Sequence, residues 1–274
     1  MKKLKMVNIK SKILYLLKQY GFKSFLLRKL FRNVLKMLYP NGIQMRLGNR
    51  YTVKIISDFI GYVSWGDRHN KAWAHCIDSL KENETFIDIG ANIGLYTLPA
   101  ALKLNKGKVY AFEPGSINYK ILKQHIIMNE LVNVEALNFL VGDENITVNF
   151  FEDNNSVSPM NSIVMIEKLS SYKSTMKKQV SLDSYFDGKD INPDIIKIDV
   201  EGAELLVLEG ARKLILKSKP KIYLSTHPSR IEELGQTIEQ LLNTIKELNY
   251  SIYDVNMNVP EKIKLDEYIL LPKS

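Results

Sequence analysis

Short apolar runs and amphipathic stretches alternate along residues 84–140. The run 84–89 is apolar, short and bounded by a turn, which is typical of a buried parallel strand. Strands that alternate with helices are joined by right-handed crossovers, and they form a parallel sheet with helices on both faces. The pattern therefore predicts an α/β, doubly wound fold. Its elements here are a strand at 84–89, a helix at 93–104, a strand at 108–112, a helix at 116–130 and a strand at 133–140.

The same alternation resumes near the C-terminus. Residues 143–180 are rich in Asn and Ser and are predicted to be irregular. We expect 250–255 and 267–271 to pair as antiparallel strands at the sheet edge. Between these regions we predict strands at 195–199 and 221–224, and helices at 203–217 and 230–247.

The first forty residues have a different pattern. They interleave apolar side chains with eleven Lys and Arg residues and contain no Asp or Glu, and from Ser24 to Pro40 the spacing suits an amphipathic helix. Such a basic helix could lie on an anionic membrane surface, or pack on the domain or on a second subunit. No run approaches the ~20 uncharged residues of a bilayer span, and no signal peptide is predicted.

Composition and charge add three expectations. The chain of 274 residues is 45% hydrophobic, enough for one large core with an appendage. The net charge is +8, so the eleven N-terminal positive charges leave about −3 for the remainder, which is not basic. Cys76 is the single cysteine, which favours a reducing cytoplasm. Any contact with the membrane is expected to be peripheral, at its inner face. We predict a basic helical extension at 1–40, a cap or substrate-side segment at 41–83 and a ligand-binding domain at 84–274.

The loop after the first strand carries the first candidate site. Gly90 allows a tight turn, and Gly94 allows the next helix to pack close to the strand. A nicotinamide-binding loop needs a further glycine where this chain has Asn92, which disfavours a dinucleotide. An acid two residues before Gly90 suits a site for an amino-acid moiety, so we assign Asp88 to the ligand's ammonium group.

Two further acids follow at predicted strand ends. Glu113 ends the second strand about twenty residues beyond the loop, where a carboxylate can accept hydrogen bonds from both hydroxyls of a ribose. The alternative is a solvated carboxylate at a helix N-terminus. Asp143, after Gly142, could receive an adenine amino group, although Asp is also an ordinary turn residue.

Four segments form a recognisable set: FIDIGANIGLYT at 86–97, AFEP at 111–114, SLD at 181–183 and IKIDVEGAE at 196–204. Together they resemble the FkbM family of class I methyltransferases. The resemblance spans roughly 84–228 and implies a seven-stranded, Rossmann-like sheet, S-adenosylmethionine as methyl donor and O-methylation of a hydroxyl on a sugar, glycan or related natural product. Many members carry an acid after the fifth strand, where this chain has His227.

The acceptor chemistry is assigned to the ends of the fourth and fifth strands. Asp199 would lie beside the methyl group and is the first choice for acceptor contact or general base, with His227 as the rival base because its ordinary pKa lies near neutral pH. Lys197 alternates onto the same face and is expected to pair with Asp199. Glu201 and Glu204 converge there and could bind the acceptor or a divalent ion, or merely complement a helix dipole. The sequence leaves a divalent metal open and does not predict one.

Two alternatives stay open from the sequence. The basic N-terminus suggests a nucleic-acid methyltransferase, but the Asn/Asp-Pro-Pro-Tyr element typical of base methylation is replaced by Asp-Val-Glu-Gly at 199–202, and an acidic mouth would repel phosphates. A non-catalytic scaffold that retains the fold is the second alternative. We expect a small-molecule or glycan acceptor and no nucleic acid, and we leave an oligomer open.

Overall fold

The computed structural model describes residues 33–48, 50–59, 71–165 and 171–273, in two compact units. In the small unit, the described residues are 33–43 and 55–59; residues 33–38 are helical and Ser57–Phe59 form a 3-10 helix. Most of the predicted extension, residues 1–32, lies outside the described residues, as does the membrane expectation that depends on it. Within the described ranges, no helix has the length and apolar composition that crossing a bilayer requires.

The large unit contains the strands and helices of an α/β domain, except that Ile43 and Ile55, the end residues of β1 and β2, belong to the small unit. The strands are β1 (Ile43–Leu47), β2 (Tyr51–Ile55), β3 (Thr85–Ile89), β4 (Lys108–Phe112), β5 (Val134–Leu137), β6 (Leu140–Val141), β7 (Thr147–Asp153), β8 (Tyr172–Val180), β9 (Ile195–Ile198), β10 (Lys221–Thr226), β11 (Tyr250–Asp254) and β12 (Asp266–Pro272). The helices are α1 (Trp73–Ser79), α2 (Thr97–Lys103), α3 (Ser116–Met128), α4 (Leu182–Tyr185), α5 (Glu204–Gly210), α6 (Arg212–Ser218), α7 (Pro228–Glu233) and α8 (Ile238–Glu247).

A seven-stranded sheet organises this unit and confirms the predicted fold. Its order is β11-β12-β10-β9-β3-β4-β5, and β12 alone is antiparallel to its neighbours. The central strands are mostly apolar and are buried on both faces, as expected of parallel strands covered by helices. Strand order reverses between β3 and β9, which pair with Asp88 opposite Lys197. Ligands in such sheets bind beyond the carboxyl ends of the strands at this reversal.

Two predicted helices are each broken in two. The helix expected over 203–217 is interrupted between α5 and α6, where Gly210 packs so closely that a Cβ would lie 1.9 Å from the carbonyl oxygen of Gly142. The helix expected over 230–247 is interrupted by Gly235 at φ +74. A new helix then starts at Thr237, whose side chain forms a capping box with Gln240.

The region from 143 to 180 was wrongly predicted to be irregular. It contains β7 and β8, which pair antiparallel, while β6 pairs with the other side of β8. Some inward-pointing side chains of this region are polar, so the sequence lacks the alternation of apolar and polar residues that marks a strand. Glu152 is buried and accepts hydrogen bonds from the backbone amide of Ser116 and the hydroxyl of Thr175, and it pairs with Lys177.

Candidate active site

A cavity of about 410 Å³ lies at the carboxyl ends of β3, β4, β9 and β10, within the large unit. This is where the reversal of strand order predicts a ligand, and the volume lies in the range of small-molecule sites. The structure brings most of the predicted site residues to its walls. These are Gly90, Asn92, Glu113, Lys197, Asp199, Glu201 and His227.

The glycine loop after β3 is shaped by close packing. Gly90 has φ +75, and a Cβ there would lie 1.8 Å from the carbonyl oxygen of Asp199, so only glycine lets the loop pass over the end of β9. Gly94 has φ +103, and a Cβ would meet the side chains of Leu98 and Leu122 at 3.0 and 3.1 Å. Gly94 does not line the cavity; it permits close helix packing, as the sequence predicts.

Glu113 is a buried carboxylate held by two backbone amides. Oε2 accepts from the amide of Asn92 at 2.7 Å, and Oε1 accepts from that of Gly115 at 2.8 Å. Burial raises the pKa of Glu113 to about 7, against the lowering effect of these two amides. The alternative of a solvated carboxylate is therefore wrong. Asn92 has φ +50, and its Oδ1 is buried without a hydrogen-bond partner among the described residues.

Asp88 and Lys197 form a buried pair beneath the loop. Asp88 is fully buried; its Oδ2 accepts from Thr97 Oγ1 at 2.6 Å, and its Oδ1 lies 3.2 Å from Lys197 Nζ. Lys197 Nζ donates to the carbonyl of Gly90 at 2.7 Å and lies 3.9 Å from Asp199 Oδ2. Burial alone would lower the pKa of Lys197, but Asp88 and then Asp199 raise it. Asp88 does not line the cavity, so the contact with a ligand's ammonium group that the sequence predicts is not direct; the carboxylate is paired with Lys197 instead.

A second cluster lies at the ends of β9 and β10. His227 Nε2 is 3.8 Å from Asp199 Oδ1 and 3.4 Å from Glu201 Oε1. Glu201 has φ +53, a left-handed conformation that is costly for a side chain with a Cβ, and the next residue is Gly202. Glu204 is fully buried behind His227, and its Oε1 accepts from His227 Nδ1 at 2.6 Å. Glu204 therefore does not reach the cavity.

The charges of this cluster act on each other. Burial alone would lower the pKa of His227, but the hydrogen bond to Glu204 and the charges of Asp199 and Glu201 raise it to about 9. Burial raises the pKa of Glu201 to about 7, although His227 opposes the shift. At neutral pH, His227 in this arrangement carries a proton and has no free lone pair to act as a base.

Asp143 is not brought to the cavity. The chain leaves the main sheet after Leu137, so Asp143 follows β6 in the small sheet, where its Oδ1 accepts from Gln179 Nε2 at 3.2 Å. The segment after β5 contributes Phe139, Leu140 and Val141 to the wall instead.

The sequence analysis missed an acid of β12 that lines the cavity. Glu267 Oε1 accepts from the hydroxyl of Tyr96 at 2.9 Å, and Oε2 accepts from the amide of Ala72 at 2.7 Å. Its neighbour Asp266 pairs with Lys71 at 2.8 Å. These partners lie some 170 to 195 positions apart in the chain, and no local signal joins them.

Comparison with known proteins gives a family match across this site. Residues 88–252 match the model of the methyltransferase FkbM domain. Methyltransferase sdnD of Sordaria araneosa is 31% identical over 168 residues, which cover 49% of this chain and 63% of that protein. A probable ribosomal RNA small subunit methyltransferase A of Methanosphaera stadtmanae is 42% identical over 71 residues, covering 26% of this chain and 24% of that protein.

A solved structure is also similar. The crystal structure of methyltransferase FkbM from Methylobacillus flagellatus has 21% sequence identity and a TM-score of 0.46, and the match covers 70% of this chain and 44% of that one. The chain thus spans less than two thirds of the length of each of these relatives.

Proposed function

Because the chain belongs to the FkbM methyltransferase family, we propose that it transfers a methyl group from S-adenosylmethionine to a hydroxyl oxygen of a sugar, glycan or related natural product. One observation carries the proposal: a single cavity has Glu113 and the glycine loop on one wall and Asp199 on another. The first wall, the cofactor wall, suits an adenosyl group, and the second, the acceptor wall, presents a carboxylate to an acceptor.

The residues present fit the cofactor. S-adenosylmethionine supplies an electrophilic methyl group on a sulfonium. Glu113 is already fixed by two amides, and each of its oxygens keeps a lone pair for a ribose hydroxyl. Asn92 adds a buried amide oxygen without a partner in the described part of the chain, which a ligand donor would satisfy. Phe139 and Val141 line the cavity and would offer apolar contact to the adenine, whereas Asp143 does not line it.

The acceptor wall favours a hydroxyl as nucleophile. A sugar hydroxyl must lose its proton as the new C–O bond forms and the S–C bond breaks, and Asp199 is the carboxylate that we assign to receive the proton. Asp199 lines the cavity, and no described residue donates a hydrogen bond to its side chain, so its oxygens are free for an acceptor. Glu201, Asp266 and Glu267 also line the cavity, which disfavours an anionic acceptor.

The test is a product assay with a defined acceptor panel. Purified protein, S-adenosylmethionine with an isotopically labelled methyl group and a set of neutral glycosides are incubated, and products are measured by mass spectrometry. We expect S-adenosylhomocysteine to form only with a polyol acceptor and the label to appear as a methyl ether. If the protein binds a nicotinamide but ignores S-adenosylmethionine at millimolar concentration, the proposal is wrong.

A second candidate is RNA methylation. It is supported by the 42% identity with a probable ribosomal RNA methyltransferase over 71 residues. The acids that line the cavity argue against it, because they would repel a phosphate backbone. RNA replaces the glycosides in the same assay. Label on RNA, together with binding that weakens steeply with salt, would favour the second candidate over the first.

A further inference from the structure

Three side chains with metal-binding atoms meet on the acceptor wall. Asp199, Glu201 and His227 each offer one ligand atom, and these atoms all lie within 4.8 Å of one another. All three line the cavity, and their side chains are only 28%, 21% and 13% exposed. They are therefore shielded from bulk water yet open to a ligand in the cavity.

The two carboxylates lack hydrogen-bond donors. No residue in the described ranges donates a hydrogen bond to the side chain of Asp199 or Glu201; their polar neighbours are cations at 3.4 to 3.9 Å. Carboxylates this shielded normally accept hydrogen bonds or bind a cation. The pair is thus satisfied only in part by the chain itself.

Glu204 provides a separate observation. It is fully buried, its Oε1 accepts from His227 Nδ1, and its Oε2 is buried with no hydrogen-bond partner among the described residues. A histidine that binds a metal commonly donates its other ring N–H to a carboxylate, which fixes the tautomer and orients the ring. Since Nδ1 is held in this way, Nε2 is the atom left facing the two acids.

We propose that Asp199, Glu201 and His227 bind a divalent cation of the Mn²⁺ or Mg²⁺ class, with Glu204 orienting the histidine. The two carboxylates suit both cations, the imidazole favours Mn²⁺ over the harder Mg²⁺, and octahedral coordination leaves positions open. With Asp88, the cluster has four carboxylates against one lysine and the protonated His227, a formal charge of −2. A divalent cation would replace the Nε2 proton of His227 and bring the formal charge to −1.

The open positions define an acceptor class. This step rests on the proposed methyl transfer: two neighbouring hydroxyl oxygens of the acceptor would replace water on the cation. Coordination would lower the pKa of the reacting hydroxyl and orient its oxygen. The acceptor would then be a vicinal diol, and one of its two oxygens would receive the methyl group.

Direct metal binding tests the site. The full chain is treated with a chelator and titrated with Mn²⁺, with free Mn²⁺ followed by electron paramagnetic resonance and heat by calorimetry. We expect one Mn²⁺ per chain in the micromolar range and competition by Mg²⁺. Glu201→Gln and His227→Gln should each weaken binding about 100-fold, and Glu204→Gln about 10- to 100-fold. Glu233→Gln, an exposed acid of α7, is the matched control and should bind as the wild type does.

Affinity for S-adenosylhomocysteine, measured on every variant, separates loss of the metal from loss of folding. A wild-type chain that binds Mn²⁺ no better than His227→Gln overturns the site. Methylation of polyols at full rate after chelation overturns it too, while leaving the proposed function intact. A chain that binds Mn²⁺ and S-adenosylhomocysteine but methylates no polyol keeps the site and refutes the function instead.

Discussion

The carboxylates on the two walls of the cavity have different kinds of partner. On the cofactor wall, Glu113 is held by two backbone amides, and Asp88 beneath it is held by Thr97 and Lys197. On the acceptor wall, the polar contacts that described residues make to the Asp199 and Glu201 side chains are ion pairs alone. The chain itself thus supplies hydrogen-bond donors to the Glu113 and Asp88 carboxylates of the first wall, whereas it leaves the Asp199 and Glu201 carboxylates of the second for a ligand.

This difference has an energetic meaning. A buried carboxylate that accepts hydrogen bonds is rigid and is placed before the ligand arrives, whereas a shielded carboxylate without donors destabilises the folded protein until something binds it. The left-handed backbone of Glu201 adds strain at the same wall. Cofactor binding and acceptor chemistry should therefore be separable by mutation.

Asp199→Ala should give the largest effect on turnover. Loss of the proton acceptor lowers the rate about 100- to 10,000-fold, because general-base assistance is of that size. Affinity for S-adenosylhomocysteine should stay close to the wild-type value, since Glu113 and the glycine loop are untouched. Steady-state product formation and calorimetry on one preparation measure both. Equal losses in both would mean that the walls are not separable.

Glu113→Ala should give the largest loss of affinity for the cofactor. The change removes the ribose contacts and leaves the amides of Asn92 and Gly115 unpaired. One lost charged hydrogen bond is worth about 1.5–3 kcal/mol, so we expect affinity to fall about 100-fold. Calorimetry measures this, with Glu144→Ala as the exposed control. An unchanged dissociation constant would remove Glu113 from the site.

A pH series sharpens the same contrast. The pKa of Glu113 is about 7 in the folded protein against an ordinary 4.5. Below pH 7 the carboxyl must ionise before it can accept both ribose hydroxyls, so cofactor affinity should fall by up to about tenfold per pH unit. Glu113→Gln should lack this dependence. Parallel slopes for the two proteins would assign the titration to another group.

The effect of Glu113 on folding stability depends on pH in the opposite direction to its effect on cofactor affinity. The folded chain keeps a proton that the unfolded chain releases, so the contribution of Glu113 to the free energy of unfolding falls as pH rises from 4.5 to about 7. The pH range that favours cofactor binding thus disfavours the free folded protein.

Asp143→Ala should have the smallest effect. Asp143 contacts Gln179 outside the cavity. Substitutions away from a site usually change the free energy of unfolding by roughly 0.5 kcal/mol or less. We expect the affinity for the cofactor to change by no more than about twofold, the ratio that corresponds to the same free energy. Cofactor titration checks this. A large loss would mean that the segment after β6 reaches the ligand after all.

Local signals placed Gly90, Asn92 and Glu113 at one cavity, as the structure has them, while the cofactor that they would hold stays a prediction. The strand, the glycine loop and Glu113 follow one another within about thirty residues, and each is marked by its own residue type. Asp143 was placed wrongly because β5 ends at Leu137, and a break between β5 and β6 has no clear local signature.

The acceptor wall was predicted in its members but not in its arrangement. Asp199, Glu201, Glu204 and His227 were all identified as candidates. Their division into cavity-lining residues and one buried support depends on how α5 packs under the end of β10. Glu267 and its contact with Tyr96 were missed altogether.

The sequence by itself determined the alternation of strands and helices, the family and the residues of the cofactor loop, because these depend on periodicity and on neighbours along the chain. Tertiary structure decided which carboxylates face the cavity, which are buried and what charge each one carries. Those properties depend on distances between chain segments far apart in sequence and on the water that packing excludes, and neither is recorded in the local order of residues.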